Sequence, residues 1–276
     1  MTRRQFLAAL AGGAFVASGV DAFAIEPGRL TVTRHAFGAG DGGGASGAGG
    51  GATLRLVQLT DLHLHEVGDY EAEVARAVRR LEPDLVLCTG DMIEREEDLG
   101  LLGAFLDLLD PDTRKLGIFG NWERWAKIDP ARLAEVYKGR NGRLLVNETF
   151  QETHGGRPYA ITGLDDLARG RPDLDRAVEG VDPGPNHLLL EHCPAFRDAI
   201  PDGSGPGWML AGHTHGGQIT LFGWAPVRPH GSGRYVAGWY RDARPAMYVC
   251  RGIGTVGIPA RFFAPPEVAA FDWRLA

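Results

Sequence analysis

A chain of 276 residues, 44% hydrophobic and 23% charged, can bury one sizeable core and has the balance of a globular protein. Its formal net charge of −6 argues against nucleic acid as a partner, so any phosphate it handles must be drawn by local cations. Cys88, Cys193 and Cys250 lack CxxC or zinc-ribbon spacing and cannot all pair, which argues against a disulfide framework. Cys88 and Cys250 close apolar runs and are expected as buried thiols.

The first segment reads as an address. Arg3 and Arg4 precede an apolar, small-residue run from Ala8 to Val20, too short for an ordinary membrane span, and Ala22-Phe23-Ala24 offers a cleavage site before Ile25. The arginine pair resembles a twin-arginine signal. Residues 1–24 are therefore expected to direct export to the periplasm or the outer face of the cytoplasmic membrane, and to act as an anchor if retained. Residues 25–53 read as an opening strand, alternating from Leu30 to Phe37, followed by a linker that is nearly all glycine and small residues from Gly38 to Gly51. His35 reads as a surface histidine. Residues 54–276 form the main domain.

Within it, apolar runs end repeatedly in polar residues. Leu54–Leu59 runs into Thr60-Asp61-Leu62-His63-Leu64-His65, and period-2 alternation would put Asp61, His63 and His65 on one face. Tyr70, Val74, Val78 and Leu81 follow at helical spacing. Asp84–Cys88 is a second strand, ending in Thr89-Gly90-Asp91, where the glycine allows close approach of backbone to whatever the carboxylate binds. The acids Glu94, Glu96, Glu97 and Asp98 read as a solvated helix start. A second helix carries Leu99, Leu102, Phe105, Leu106 and Leu109. Lys115–Phe119 ends in Gly120-Asn121-Trp122-Glu123, and a helix is expected from about Pro130 to Tyr137. Leu144–Val146 and Tyr159–Leu164 read as strands of a second sheet. His187–Glu191 ends in His192-Cys193-Pro194, and Trp208–Ala211 leads into Gly212-His213-Thr214-His215. Alternating strands and helices imply parallel strands with right-handed crossovers, and such sheets bind ligands at their carboxyl ends.

Asp61, His63, Asp91, Asn121, His192, His213 and His215 thus fall at or just beyond apolar strand ends, a set of metal-ligand types that packing does not explain. The ordered blocks Asp-x-His, Gly-Asp, Gly-Asn-x-Glu, a lone His and Gly-His-x-His resemble the calcineurin-like metallophosphoesterases. The resemblance spans Leu54 to the end, and the leader with the tail from Arg251 to Phe263 is similar to the exported or membrane-associated bacterial branch, including hydrolases of the UDP-2,3-diacylglucosamine type. It implies an α/β fold, a four-layer α/β/β/α sandwich of two mixed β-sheets flanked by helices, with residues 54–276 as the catalytic domain. It also implies two divalent ions, Mn, Fe or Zn with Mg an option. One would be held by Asp61, His63, Asp91 and His215, the other by Asp91, Asn121, His192 and His213, with Asp91 bridging. A metal-bound hydroxide would attack phosphorus in line.

This chain departs from the family pattern at Trp122, where members commonly carry a histidine that helps the leaving group depart. A positioned acid is worth about 10²–10⁴ in rate. The expected substrate is therefore a small-molecule phosphodiester or pyrophosphate with an easily expelled leaving group, lipid-linked or nucleotide-linked. His65 is a candidate replacement acid, and Trp122 and Glu123 are candidate substrate contacts. Arg261, Phe262 and Phe263 could touch an anionic lipid, so membrane association is open to the chain, while no protein partner is indicated. A broad phosphomonoesterase and a catalytically silent metal-binding envelope protein remain as alternatives.

Overall fold

The computed structural model describes residues 19–39, 51–182, 184–201, 205–221, 224–243 and 245–276. The arginine pair, most of the apolar leader and most of the glycine run lie outside these.

The first half of the chain alternates strand and helix: β1 (Thr31–Gly38), β2 (Thr53–Leu59), α1 (Asp69–Leu81), β3 (Leu85–Thr89), α2 (Leu99–Asp107), β4 (Arg114–Ile118), α3 (Asn121–Trp125), α4 (Pro130–Lys138) and β5 (Gly142–Leu144). The second half is richer in strand: β6 (Glu148–His154), β7 (Arg157–Gly163), α5 (Leu174–Ala177), β8 (His187–Leu190), β9 (Trp208–Ala211), β10 (Gly238–Tyr240), β11 (Ala246–Val249) and β12 (Glu267–Arg274). They form two mixed sheets, ordered β1-β12-β2-β3-β4-β5 and β10-β11-β9-β8-β7-β6. In the first sheet β2 through β5 are parallel while β12 runs antiparallel to β2. In the second, β7, β8, β9 and β11 are parallel, with antiparallel edges at β6 and β10.

Period-2 geometry distributes the apolar side chains over three layers of core. Leu54, Leu56, Leu85 and Leu87 face the second sheet and meet Leu188, Leu190, Trp208, Leu210 and Tyr248 there. The intervening Val57, Leu59, Val86 and Cys88 face outward onto α1, α2 and α4, packing against Val74, Val78, Phe105 and Tyr137. On the far side of the second sheet Leu189, Met209, Met247 and Val249 are covered by Phe196, Ile200 and Ala177. Strands buried on both faces read as continuous apolar runs, and that is why they are conspicuous in the sequence.

Three expectations change. Leu144 ends β5, which pairs with β4 in the first sheet and not with the second (Lys115 opposite Gly142, Gly117 opposite Leu144). A three-residue apolar run has no periodicity that assigns it to a sheet; the crossover through α4 does. The strand β12, which has no counterpart in the sequence expectations, inserts between β1 and β2, so the opening strand is an integral edge of the first sheet. His35 is not simply a surface group: its ring packs 4.4 Å from Tyr248 and 5.3 Å from Phe271.

Candidate metal centre

The carboxyl ends of β2, β3, β4, β8 and β9 converge at one edge of the sandwich, with the two sheets tied beneath them. Gln58, fully buried at the end of β2, donates from Nε2 to Thr89 Oγ1 (2.8 Å) and across to the carbonyl of Ala211 (3.0 Å). The loops then leave the strands abruptly. Asp61, His63, Asp91, His213 and His215 all hold φ between 47° and 72°, the left-handed region that costs a non-glycine residue about 1–3 kcal/mol. Backbone bonds hold them there: Asp61 N donates to Gly90 O (3.0 Å), His63 N to Asp91 O (3.1 Å) and Gly212 N to His192 O (3.1 Å). Gly212 is required by crowding, since a Cβ there would lie 2.6 Å from Asp61 Oδ2.

Two clusters of donor atoms result, each with its members within 4.8 Å: Asp61, His63 and His215, and Asp91, His192 and His213. All six residues are buried. Between the clusters stands the Asp91 carboxylate, with Oδ2 3.1 Å from His192 Nε2 and 3.9 Å from His63 Nε2. Asn121 Oδ1 joins the second cluster at 2.7 Å from His213 Nδ1 and 3.2 Å from His192 Nε2. The structure thus brings together all seven residues expected as metal ligands.

The partners of the outer ring nitrogens decide what the inner ones can do. His192 Nδ1 donates to the Thr89 carbonyl (2.8 Å) and His213 Nε2 to the His230 carbonyl (2.9 Å), while Glu94 Oε1 accepts from His63 Nδ1 (2.9 Å). Each of these bonds occupies the outer N–H and turns the inner nitrogen toward the cluster, where it offers a lone pair to an ion, or on His63 and His192 holds a second proton without one. Bare nitrogens and carbonyl-type oxygens therefore face one another, as at His213 Nδ1 and Asn121 Oδ1, with His63 Nε2 only 3.1 Å from His215 Nε2. Acceptors at such separations repel unless a proton or a cation lies between them. Ligands about 2.0–2.2 Å from one ion stand roughly 3–3.5 Å apart. The donor set fits metal.

The electrostatics agree. Burial, reinforced by the neighbouring imidazolium of His192, pushes His213 down to about 4, and burial with His63 and Arg261 holds His215 well below its ordinary value, so both are neutral bases. Burial alone would raise Asp91, yet the charge and hydrogen bond of His192, with His63 behind it, hold its carboxyl well below the usual range. Burial would lower His63 and His192 as well, but the surrounding carboxylates raise both. The site demands positive charge, which protons on His63 and His192 supply in the absence of metal and divalent ions would supply in its presence.

Other expected site residues fall differently. Trp122 lines a cavity of about 450 Å³ together with Asp91, Asn121, His213 and His215. Its backbone N donates to Asp91 Oδ1 (2.8 Å). Glu123 is not a substrate contact. It is 1% exposed, and its carboxylate accepts from the amides of Asp91, Met92, Ile93 and Gly120 at 2.7–3.3 Å, cross-bracing the β3 and β4 loops. His65 does not join His63 in the ligand cluster, because the chain is no longer extended there. It is exposed, with Nε2 3.9 Å from Glu94 Oε2, and lines a cavity of about 320 Å³ with His63, Tyr70 and Pro27. Arg261 is fully buried and donates to the carbonyls of Gly254, Ala264 and His215, so it clamps loops and meets no lipid.

Three residues were missed in the sequence. Glu94 is not a free helix-start acid: it buttresses His63. Arg169 and His230 line the same cavity as the ligands, the Arg169 guanidinium lying 5.5 Å over the Trp125 ring. No spacing signal marks them, since both sit on irregular loops. Because Glu94 orients a ligand through its far nitrogen, Glu94→Gln is expected to lower metal affinity about 10–100-fold. Competition with a coloured chelator measures this, and unchanged affinity would remove Glu94 from the site. A third buried set, Asp166, Glu191 and Cys193, flanks His192, with Cys193 Sγ donating to Asp166 Oδ1 (3.1 Å). Burial raises all three above their ordinary values, which disfavours the charged forms a metal cage needs.

Histidine, carboxylate and amide donors gathered at parallel strand ends of a two-sheet α/β sandwich define a metal-dependent phosphoester hydrolase. The chain belongs to the calcineurin-like phosphoesterase family, whose model matches residues 54–217. It is 31% identical to the uncharacterized metallophosphoesterase YkuE of Bacillus subtilis over 99% of this chain and 98% of that relative. It is also 29% identical to the phosphodiesterase YaeI of Escherichia coli over 99% of each.

Proposed function

We propose that this chain is a binuclear metal-dependent phosphodiesterase or pyrophosphatase acting in the cell envelope. The observation that carries this reading is the Asp91 carboxylate standing between two buried ligand clusters. Asp61, His63 and His215 would hold one ion, His192, His213 and Asn121 the other, and Asp91 both. Such a mixture of imidazole, carboxylate and amide suits Mn, Fe or Zn, with Mg an option. When bound, the pair supplies a water activated at neutral pH and neutralises charge on the phosphate.

The chain's own residues do the rest. The left-handed loops fix the ligands before substrate arrives, and Arg169 and His230 offer N–H donors to phosphate oxygens from the cavity wall. Trp122 supplies shape and dry surface but no proton. The favoured substrate therefore expels a weakly basic leaving group, as the cleavage of a pyrophosphate or an activated diester does. The similarity to a relative named as a phosphodiesterase points the same way. The arginine pair and apolar run at residues 3–20 support export by a twin-arginine route, which would place the site against lipid- or nucleotide-linked envelope phosphates.

The test is a substrate panel with chelator-stripped protein reloaded with Mn, Zn, Fe or Mg. Bis(p-nitrophenyl) phosphate or a UDP-linked pyrophosphate is expected to turn over at least about 100-fold faster than a simple alkyl monoester. A preference for alkyl monoesters would refute the reading in favour of a phosphomonoesterase. No turnover on any of them, with metal bound, would favour the silent binder that Trp122 allows.

A further inference from the structure

Eight of the ten large apolar side chains exposed among the described residues belong to only three segments: residues 19–28, 219–227 and 256–263. They include Phe23, Ile25, Trp224, Val227, Ile258 and Phe263, with Trp224 67% and Val227 75% exposed. The segments are stitched together. Arg261 N donates to the Ala22 carbonyl (2.9 Å), and Glu26 accepts from the amides of Phe263 (3.0 Å) and Ala264 (2.6 Å). Thr220 N donates to the Phe262 carbonyl (2.8 Å), and Gln218 Nε2 to the carbonyls of Val256 and Ile258 (3.0 Å each). The buried Arg261 guanidinium ties this assembly to the metal loop through the His215 carbonyl (3.4 Å). Scattered exposed apolar residues are ordinary; a stitched concentration of them marks an interaction surface.

We infer that these segments form a docking surface for an anionic phospholipid bilayer, set at the mouth of the metal centre. Three features select a bilayer as the occupant. First, the loops 218–230 and 251–264 contain no aspartate or glutamate and leave Arg228 exposed beside Val227, in a chain of net charge −6. An apolar face whose loops carry an arginine and no acid, on an otherwise acidic protein, can meet an anionic headgroup layer without repulsion. Second, the chain that enters this surface at Gly19 is uncharged in sequence from Phe6 to Val16, so lipid-compatible sequence continues into it. No described helix is long and apolar enough to cross a membrane. Third, the same loops reach the cavity: Pro229, His230 and Val256 line it beside His213 and His215. Docking would hold the cavity at headgroup depth and favour phosphates carried on lipids. This deepens the envelope reading above and rests on it for the identity of the reacting group, but the surface itself does not depend on catalysis.

The test uses the full chain and large unilamellar vesicles of phosphatidylcholine with phosphatidylglycerol at about 3:1, against phosphatidylcholine alone. Co-sedimentation is expected with the anionic vesicles. The double substitution Trp224→Ser, Val227→Ser and, separately, Phe263→Ser are expected to lower the partition coefficient by about tenfold or more, because exposed apolar side chains supply the insertion. Hydrolysis of soluble bis(p-nitrophenyl) phosphate by the double variant should stay within about twofold of the parent, which shows that it folds. Absence of vesicle binding by an active parent overturns the docking proposal and leaves the hydrolase reading intact; vesicle binding without turnover does the reverse. Equal partitioning of parent and variants would assign binding to the leader alone. A dimer that the double substitution disperses, without vesicle binding, would assign the surface to a second copy. Either result overturns the inference.

Discussion

Asp91→Ala is expected to lower kcat/KM on an aryl phosphodiester by at least about 10³, equivalent to about 4 kcal/mol of transition-state stabilisation. The size follows from position. Asp91 Oδ2 lies 3.1 Å from His192 Nε2 in one ligand cluster and 3.9 Å from His63 Nε2 in the other, so its removal weakens both. It also frees the amide of Trp122, which donates to Asp91 Oδ1 and thereby fixes the start of α3. Asp91→Asn separates the two effects. It keeps an acceptor for that amide but removes the charge, so activity should still fall by about two orders of magnitude while stability changes little. Metal content measured on the same samples should fall in both variants. Turnover of Asp91→Ala close to that of the parent would contradict the role.

The second large effect is structural. Glu123→Ala is expected to destabilise the protein by about 3–5 kcal/mol, since it leaves the buried amides of Asp91, Met92, Ile93 and Gly120 without their acceptor at about 1–3 kcal/mol each, partly recovered by water. Glu123→Gln keeps one acceptor oxygen and should cost roughly half as much. Urea denaturation in the presence of chelator isolates this effect from metal binding. A change below about 1 kcal/mol for Glu123→Ala would show that the two loops are held by something else. The same residue thus matters to activity only through Asp91, which it positions by accepting from that residue's own amide.

The strands beneath the site were legible because both of their faces are buried where they approach it: Leu56–Leu59, broken only by the buried Gln58, and Leu85–Cys88. The polar residues that follow were legible as a set because their types are costly at strand ends without a ligand. The reason offered for their convergence was incomplete. Asp61 and His63 meet through left-handed turns beyond the end of β2, not through continued pleating, and for that reason the extrapolation to His65 fails. Backbone conformation at single residues leaves little trace in sequence when the residue is not glycine.

Charge was the other weak signal. Glu94 lies among acids that suit a solvated helix start, and only the fold shows it against His63. Arg261 lies between apolar neighbours in a stretch that reads as an exposed basic-aromatic triplet, yet its guanidinium is spent on backbone carbonyls inside the protein, while Phe263 is the member left exposed. Whether an ion pairs with a buried ligand, a carbonyl or water depends on how the loops fold back around it, as Glu94 meets His63 and Arg261 meets the carbonyls of Gly254 and His215. Sequence spacing carries none of that.

The central claim is that two facing clusters hold two ions and that hydrolysis depends on them. The most direct measurement titrates chelator-stripped protein with Mn(II), counting ions bound per chain while following turnover of bis(p-nitrophenyl) phosphate on the same samples. The account predicts a stoichiometry of two, with turnover absent in the stripped protein and complete only as the second equivalent binds. Full turnover by protein shown to contain no metal would contradict it.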